Sequence, residues 1–214
     1  MKKSIGLDLD GTLLDSKFRH QKLLYDILMQ EGFEININEL NDFLPYKSQG
    51  KNTKEYLLYK YRNIKNPDKI VEKWIENIEN LEYLNLDFLY NHANNLLKDL
   101  NTICDLYLVT ARKNKENTLK QLNNLDIIRY FKKIYIVSNS GDIALNKYKK
   151  TKNLGIDLII GDTEIDLKWS QYLNVEFFAV NYGFRDVKWW KNKNIISYDE
   201  SSIGKKIEEI IFKL

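Results

Sequence analysis

Cysteine is nearly absent from this 214-residue chain: Cys104 is the one thiol. No internal disulfide can form, and a reducing, cytoplasmic setting is the simplest expectation. Its apolar neighbours mark Cys104 as a core residue. Proline is almost as scarce. Pro45 and Pro67 are the only two, and both punctuate the region between residues 18 and 90. Charge of one sign is lacking too, since 33 basic against 30 acidic side chains leave +3. With lysines spread along the whole chain, the dense positive footprint of a nucleic-acid binder is excluded. No stretch approaches the roughly 18 uncharged apolar residues of a membrane span. The start, MKKSIGLDLDG, carries two lysines but no apolar run of signal-peptide length before the acids begin. Repeats and low-complexity tracts are missing. These absences lead us to expect a soluble cytoplasmic protein, monomer or homodimer, with neither nucleic acid nor membrane as partner.

What is present is a well-furnished core, with 43% hydrophobic and 13% aromatic residues. Five short apolar runs read as strands buried on both faces: Ser4 to Leu9, Leu106 to Thr110, Lys133 to Val137, Leu158 to Gly161 and Val175 to Val180. Helical patterns at Asn114 to Leu125, Ile143 to Leu154 and Thr163 to Leu173 alternate with the later strands. That alternation specifies an α/β fold, a Rossmann-like parallel sheet with helices on both faces. A last pair, Ile195 to Tyr198 and Ile203 to Phe212, should close and cover the sheet edge. Residues 18 to 90 differ, with amphipathic helices expected at Phe18 to Gln30, Ile37 to Phe43, Thr53 to Tyr61 and Asp68 to Leu84. The last of these sets Ile70, Val71, Trp74, Ile75, Ile78 and Leu81 on one face. The expected organisation is a core of residues 1–16 and 88–214 with a small all-helical domain, 17–87, inserted after the first strand.

Chemistry concentrates where the first strand ends, in SIGLDLDGTLLDS. Asp8 and Asp10, one residue apart, would repel each other unless a cation or a proton lies between them. Gly11 lets the backbone bend sharply and Thr12 offers a hydroxyl, both useful beside a phosphate. An acidic surface loop after an edge strand is the plainer reading, common for one Asp and uncommon for this run with apolar residues on both sides. Ligand sites of such sheets lie at the carboxyl ends of the strands. There the Leu106 strand ends in Thr110-Ala111-Arg112. The Lys133 strand leads through Ser138 to Gly141 into a helix with Lys147, and the Leu158 strand ends in Gly161-Asp162-Thr163, with Asp166 four residues on.

With DLDGT at 8–12, VTAR at 109–112, Lys147 and GDTEID at 161–166 in that order, the chain resembles the haloacid dehalogenase superfamily of phosphotransferases, in its phosphoglycolate phosphatase-like branch. The resemblance covers essentially the whole length. It implies that the helical insertion is a cap and that the activity is Mg²⁺-dependent hydrolysis of a small phosphorylated metabolite. It further implies that Asp8 is the nucleophile forming an aspartyl-phosphate. Asp10 would be the general acid and base. Asp8, the main-chain carbonyl of Asp10, and Asp162 would hold Mg²⁺. Thr110, Lys147, Thr12 and the backbone around Ala111 would bind the phosphoryl oxygens, and Asp166 would support Lys147 or the metal's surroundings. Lys149 and Lys150 lie near enough to compete for the lysine's place. The spacing to Leu154-Gly155-Ile156-Asp157 in related sequences favours Lys147.

A carboxylate at position 10 sets the chain apart from dehalogenases, which lack one there, and from ion-pumping ATPases, which carry Thr. Sugar phosphomutases share a His at the offset of His20 from Asp15-Ser16, so a mutase is one alternative, and an idle phosphometabolite-binding or interaction protein is another. The plain reading of His20 is a residue on the first turns of a cap helix, facing solvent or a partner helix. Substrate choice should rest with the cap. Arg19, His20 and the polar loop Tyr46 to Asn52, with Lys47 and Lys51, are its candidates, and their basic character suits a second anionic group. Trp169, Trp189 and Trp190 read as packing residues.

Overall fold

The computed structural model describes residues 2–62 and 64–211. β1 (Lys3–Leu7) leads into a short β2 (Leu14–Asp15), and a helical run follows: α1 (Lys17–Gln30), a 3₁₀ turn (Ile37–Leu40), α2 (Phe43–Ser48), α3 (Thr53–Lys60), α4 (Pro67–Asn77) and α5 (Leu81–Leu84). After β3 (Phe88–Leu89) come α6 (Ala93–Ile103), β4 (Cys104–Ala111), α7 (Lys115–Asn124) and β5 (Lys133–Val137). The chain then runs through α8 (Ile143–Thr151), β6 (Leu158–Gly161), α9 (Glu164–Leu173), β7 (Glu176–Val180), α10 (Val187–Asn192), β8 (Ser197–Tyr198) and α11 (Ile203–Ile211). The main sheet has the order β5-β4-β1-β6-β7-β8, every pair parallel.

Each strand of this sheet sends alternate side chains to opposite faces, and both faces are covered. Ile5, Leu7, Leu106, Leu108, Leu158 and Ile160 share one core with Leu97 and Leu100 of α6 and Ile203 and Ile207 of α11. Tyr107, Val109 and Ile159 point the other way, onto Ala144 of α8 and Trp169 of α9. Gly6 faces that second side. A Cβ there would fall 2.6 Å from the Trp169 ring, so the missing side chain is what lets the buried indole lie against β1.

The helices from α1 to α4 build a separate core around Leu23, Leu24, Ile27, Leu28, Phe43, Tyr56, Leu57 and Ile70. Two chain crossings join it to the sheet, and they pair with each other: Leu14 lies opposite Leu89 and Asp15 opposite Phe88 in an antiparallel ribbon. Two-residue strands carry no periodicity, so this ribbon left no trace in the sequence. Asp15 also accepts the Lys17 N–H at 3.0 Å, anchoring the entry to α1.

Several expected elements change shape. The helix expected over Asp68 to Leu84 breaks into α4 and α5, because the chain turns at Ile78 to Asn80 to present Glu79 toward the sheet domain. Ile75, expected on the apolar face, is exposed. Ile37 to Phe43 becomes a 3₁₀ turn closed by a reciprocal Asn36–Glu39 cap, and α2 begins only at Phe43. Tyr46, Lys47 and Ser48 therefore belong to a helix, with Pro45 in its first turn, where a missing N–H costs nothing. The last strand shrinks to Ser197–Tyr198, with Ile196 exposed. Phe212, expected at the end of the last helix, lies outside the described residues. Cys104, Trp169 and Trp190 are buried as expected, while Trp189 is half-buried beneath Arg185.

Candidate active site

Three neighbouring strands end at one cavity of about 230 Å³ lined by Asp8, Asp10, Thr110, Ala111, Lys147, Asp166 and Phe184. Asp8 follows β1, Thr110 and Ala111 finish β4, and Asp162 follows β6. Lys147 reaches in from the middle of α8. Asp166 sits in the first turn of α9, where it accepts the Thr163 hydroxyl at 2.7 Å while the Thr163 side chain caps the helix in return.

Lys147 is buried and its ammonium joins Asp8 Oδ1 at 2.5 Å and Asp166 Oδ1 at 2.7 Å, over the face of Trp169. Burial works against its charge, but the carboxylates of Asp166 and Asp8 outweigh that and push the ammonium well above the usual lysine range. Lys149 and Lys150 lie in the last turn of the same helix and do not line the cavity. One ammonium among three buried carboxylates leaves a surplus of negative charge. Burial accordingly pushes the Asp8 carboxyl up to about 7, against the pull of Lys147. Asp162 is raised well above the ordinary range by burial and by Asp8 and Asp166.

Asp8, Asp162 and Asp166 each offer an oxygen, all within 4.8 Å of one another. Such an all-oxygen donor set suits a hard divalent cation, which would supply the positive charge that these groups lack. The backbone around them leaves no room for side chains. Gly11 is held at φ +80°, and a Cβ on it would fall 2.1 Å from Asp162 Oδ2. One on Gly183 would fall 2.3 Å from the same atom. The Phe184 N–H donates to that oxygen at 2.6 Å, and the Thr12 hydroxyl to the other at 3.4 Å.

Asp10 lines the same cavity, held there by two guanidinium groups. Arg112 donates to both of its oxygens, Nε to Oδ2 at 2.8 Å and Nη2 to Oδ1 at 2.7 Å, and Arg19 also donates to Oδ1. Burial raises the Asp10 carboxyl, but Arg112 and Arg19 together hold it far below the usual carboxylate range. Arg19 Nε lies 3.2 Å from Asp87 Oδ1, near enough for an ion pair yet misaligned for a hydrogen bond, and Arg112 Nη1 is buried without a partner. Gln121 of α7 donates to Asp87 at 2.7 Å, so a chain of contacts runs from α7 through the helical unit to Asp10.

The expected specificity residues fare differently. The charge of Arg19 is already met by Asp10 and Asp87. His20, expected to face solvent or a partner helix, does face a partner helix: it is buried between Trp74 of α4 and Phe184, with ring centroids 5.1 and 5.0 Å away. Lys47 lies over the Trp74 ring at 4.7 Å, whereas Lys51 is exposed and pairs with Glu55. Arg112, Glu79, Asp87 and Phe184 had no role in the expected site, and Trp74 was expected only on the apolar face of its helix. Arg112 had a signal, as the residue that ends VTAR. The others come together only through tertiary contacts.

A model of the haloacid dehalogenase-like hydrolase family matches residues 5–180. No curated protein matches the chain in sequence. Solved structures share its architecture. A haloacid dehalogenase-like hydrolase of Streptococcus pneumoniae aligns over 100% of this chain and 99% of its own, at 18% identity and a TM-score of 0.72. A Clostridium difficile protein described as a phosphatase aligns over 99% of both chains at 21% identity and 0.76. A Bacillus subtilis protein described as a hydrolase of the same type, bound to magnesium, covers 84% of this chain and 87% of its own at 20% and 0.61. At these identities the likeness is one of fold.

Proposed function

Because this chain belongs to the haloacid dehalogenase-like hydrolase family, we propose that it is a Mg²⁺-dependent phosphatase, hydrolysing a small phosphomonoester in the cytoplasm. The observation that carries this reading is the buried set of Asp8, Lys147, Asp166 and Asp162 around a cavity bordered by Thr110. Asp8 attacks phosphorus, and the bond to the leaving alkoxide breaks as the aspartyl-phosphate forms, so that one hard displacement becomes two easier ones. Lys147 and Thr110 face the transferring oxygens, with Thr12 and the backbone at Ala111 beside them. Their donors are fixed before substrate arrives, which is where electrostatic catalysis gains most. Asp10 moves the proton, to the leaving alcohol in the first half and from water in the second. Asp8, Asp162 and the main-chain carbonyl of Asp10 would hold Mg²⁺, with Asp166 beside them, and the ion would offset the negative charge gathered there.

The helical unit, residues 17–87, acts as a cap that excludes water and places its side chains against the leaving group. Asp10 separates a hydrolase from a long-lived phosphoenzyme, since a base stands ready for water. A phosphomutase is the second reading, favoured by His20, whose buried Nδ1 lacks a partner. Both are tested with purified protein. Hydrolysis of para-nitrophenyl phosphate should require Mg²⁺, stop with chelator and vanish in Asp8→Asn, and full activity in that variant would overturn the mechanism. Isomer formed in excess of free phosphate from a hexose 1-phosphate with catalytic bisphosphate would favour the mutase.

A further inference from the structure

His92 stands just ahead of α6 and outside the cavity, yet hydrogen bonds run from it to both loops that frame Asp162. Its Nε2 lies 2.9 Å from the Tyr182 hydroxyl, and its Nδ1 lies 3.4 Å from Glu200 Oε2. The Tyr182 hydroxyl donates to the Thr12 carbonyl at 3.1 Å. Next in the chain comes Gly183, where a Cβ would strike the Gly11 carbonyl oxygen, and then Phe184, whose N–H donates to Asp162 at 2.6 Å. The Tyr182 carbonyl is fixed as well, by Lys17 Nζ at 2.7 Å and the Tyr90 hydroxyl at 3.2 Å. The phenol hydroxyl therefore joins the turn that carries Thr12 to the segment that holds Asp162.

A neutral imidazole carries one ring proton for its two contacts. With that proton on Nε2, His92 donates to Tyr182, and Tyr182 keeps its own proton on the Thr12 carbonyl, but Nδ1 turns a lone pair toward the Glu200 carboxylate. With the proton on Nδ1, the ring meets Glu200, a charged acceptor and so the stronger bond. Nε2 then draws the Tyr182 hydroxyl away from Thr12. An imidazolium has both protons and satisfies all three contacts. Burial lowers the His92 pKa below the usual histidine value against the pull of Glu200, so the ring is neutral at neutral pH. Facing it are Glu200, ahead of α11, and the rings of Tyr182 and Tyr90, with centroids 5.0 and 5.9 Å away. Lys17 of α1 stands over the Tyr90 ring at 5.7 Å.

We propose that His92 is a positioning residue: through the Tyr182 hydroxyl it holds the Gly11-Thr12 turn against residues 182–184, and its proton decides how firmly Asp162 is set for a divalent cation. This rests on the proposed role of Asp162 in holding the cation. When the ring is protonated, Tyr182 is bound to Thr12, and the Thr12 hydroxyl and the Phe184 N–H stay aligned on the two oxygens of Asp162. When the ring is neutral and turned to Glu200, that tie is released and the two loops are held by backbone packing alone.

Two variants test this. Tyr182→Phe keeps the ring and removes the hydroxyl, and His92→Gln keeps a donor toward Tyr182 that never titrates. Amide exchange at Phe184 is read in the metal-free protein, and the Mg²⁺ dissociation constant is read by calorimetry, both between about pH 5 and pH 8. The carboxyls of the site titrate in every variant and cancel in the ratio to the wild type. Near the acid end, Tyr182→Phe should quicken Phe184 exchange and weaken Mg²⁺ binding by roughly three- to tenfold, the range of one hydrogen bond. His92→Gln should match the wild type at the acid end and bind Mg²⁺ more tightly, by a similar factor, at the alkaline end. A ratio of His92→Gln to wild type that stays flat across the range overturns the role of the His92 proton. Phe184 exchange unchanged in Tyr182→Phe overturns the positioning itself. A wild type that binds no Mg²⁺, while Phe184 exchange still answers to both variants, would reject the metal reading and keep the positioning of Asp162.

Discussion

Arg112 grips Asp10 by both carboxylate oxygens, at 2.8 and 2.7 Å, in the fork geometry that only a guanidinium offers. Gripped in this way, Asp10 is held as a carboxylate, and in the proposed mechanism it would be ready for the half-reaction that draws a proton from water. Protonating a leaving alcohol requires a guanidinium to let go. Arg112→Lys keeps the charge and loses the fork, and a misplacement of about 1 Å at a reacting group costs about 10²-fold. We expect kcat to fall by that order with KM little changed. The loss should be smaller for an alkyl phosphate, whose departure needs the proton that a looser grip lets Asp10 carry, than for para-nitrophenyl phosphate, whose leaving group needs no proton. Equal losses on both esters would show that Arg112 acts on structure alone.

Lys147 shares one ammonium between Asp8 and Asp166. Removing one partner of a buried ion pair costs roughly 3–5 kcal/mol, and for a chain of this size each kcal/mol is about 2–4 °C in Tm. Lys147→Met should therefore melt on the order of 10 °C below the wild type. Because a divalent cation can take over part of the lost charge, millimolar Mg²⁺ should restore more of the Tm in the variant than it adds to the wild type, and chelator should reverse the gain. Thermal melts with and without the metal decide this. An equal Mg²⁺ increment in both proteins would refute the idea that ammonium and cation compensate the same carboxylates.

The residues at the strand ends were legible because each follows an apolar run whose period and length identify a buried parallel strand. Asp8, Thr110 and Asp162 needed only that placement, whereas Lys147 needed the helix after β5 and also the spacing in related sequences that set it apart from Lys149 and Lys150. Arg112 stood in a quoted motif but gained its meaning from Asp10, which lies 102 positions away in sequence. Asp87 and Glu79 were illegible for a physical reason. Asp87 sits between Leu86 and Phe88 and Glu79 between Glu76 and Glu82, so neither stands out from its neighbours in the sequence, and their partners come from α1 and from the α7 region, joined to them only by tertiary packing. The break between α4 and α5 was hidden too, since helical periodicity runs through Ile78 and Leu81 while the bonds made by Glu79 decide the turn.

Asp87 offers a test by pH. Burial pushes its carboxyl up to about 7 against the pull of Arg19, while an Asp in the unfolded chain titrates near 4. Between those values the native state keeps a proton that the unfolded state has released. The group's contribution to stability is thus fully present below about pH 4 and lost as pH rises through about 7. Asp87→Asn carries no such proton. The Tm of the variant relative to the wild type should rise between pH 5 and pH 8, by roughly several °C. A difference that stays flat across that range would mean that Asp87 is ionised throughout.

Glu79 ties the helical unit to the loop that follows Thr110, Ala111 and Arg112. Its carboxylate accepts the Lys113 N–H at 2.8 Å and the Asn114 N–H at 2.6 Å, just ahead of α7, and its carbonyl accepts from Asn117 Nδ2 at 2.9 Å. Hydrogen bonds to a charged group contribute about 1.5–3 kcal/mol each, and an anion before a helix N-terminus gains a further fraction of a kcal/mol. None of these bonds lies within the sheet core or within the core of the helical unit, so Glu79→Ala should loosen the two against each other more than it unfolds either. Amide exchange should quicken at Lys113 and Asn114. Because water then reaches the site and Arg19 no longer arrives with the helical unit in register, kcat/KM should fall about tenfold while Tm drops less than in Lys147→Met. Faster exchange without loss of activity would mean that contact at Glu79 is not what holds the helical unit over Asp10, and would leave the Arg19–Asp10 pair as the contact that does.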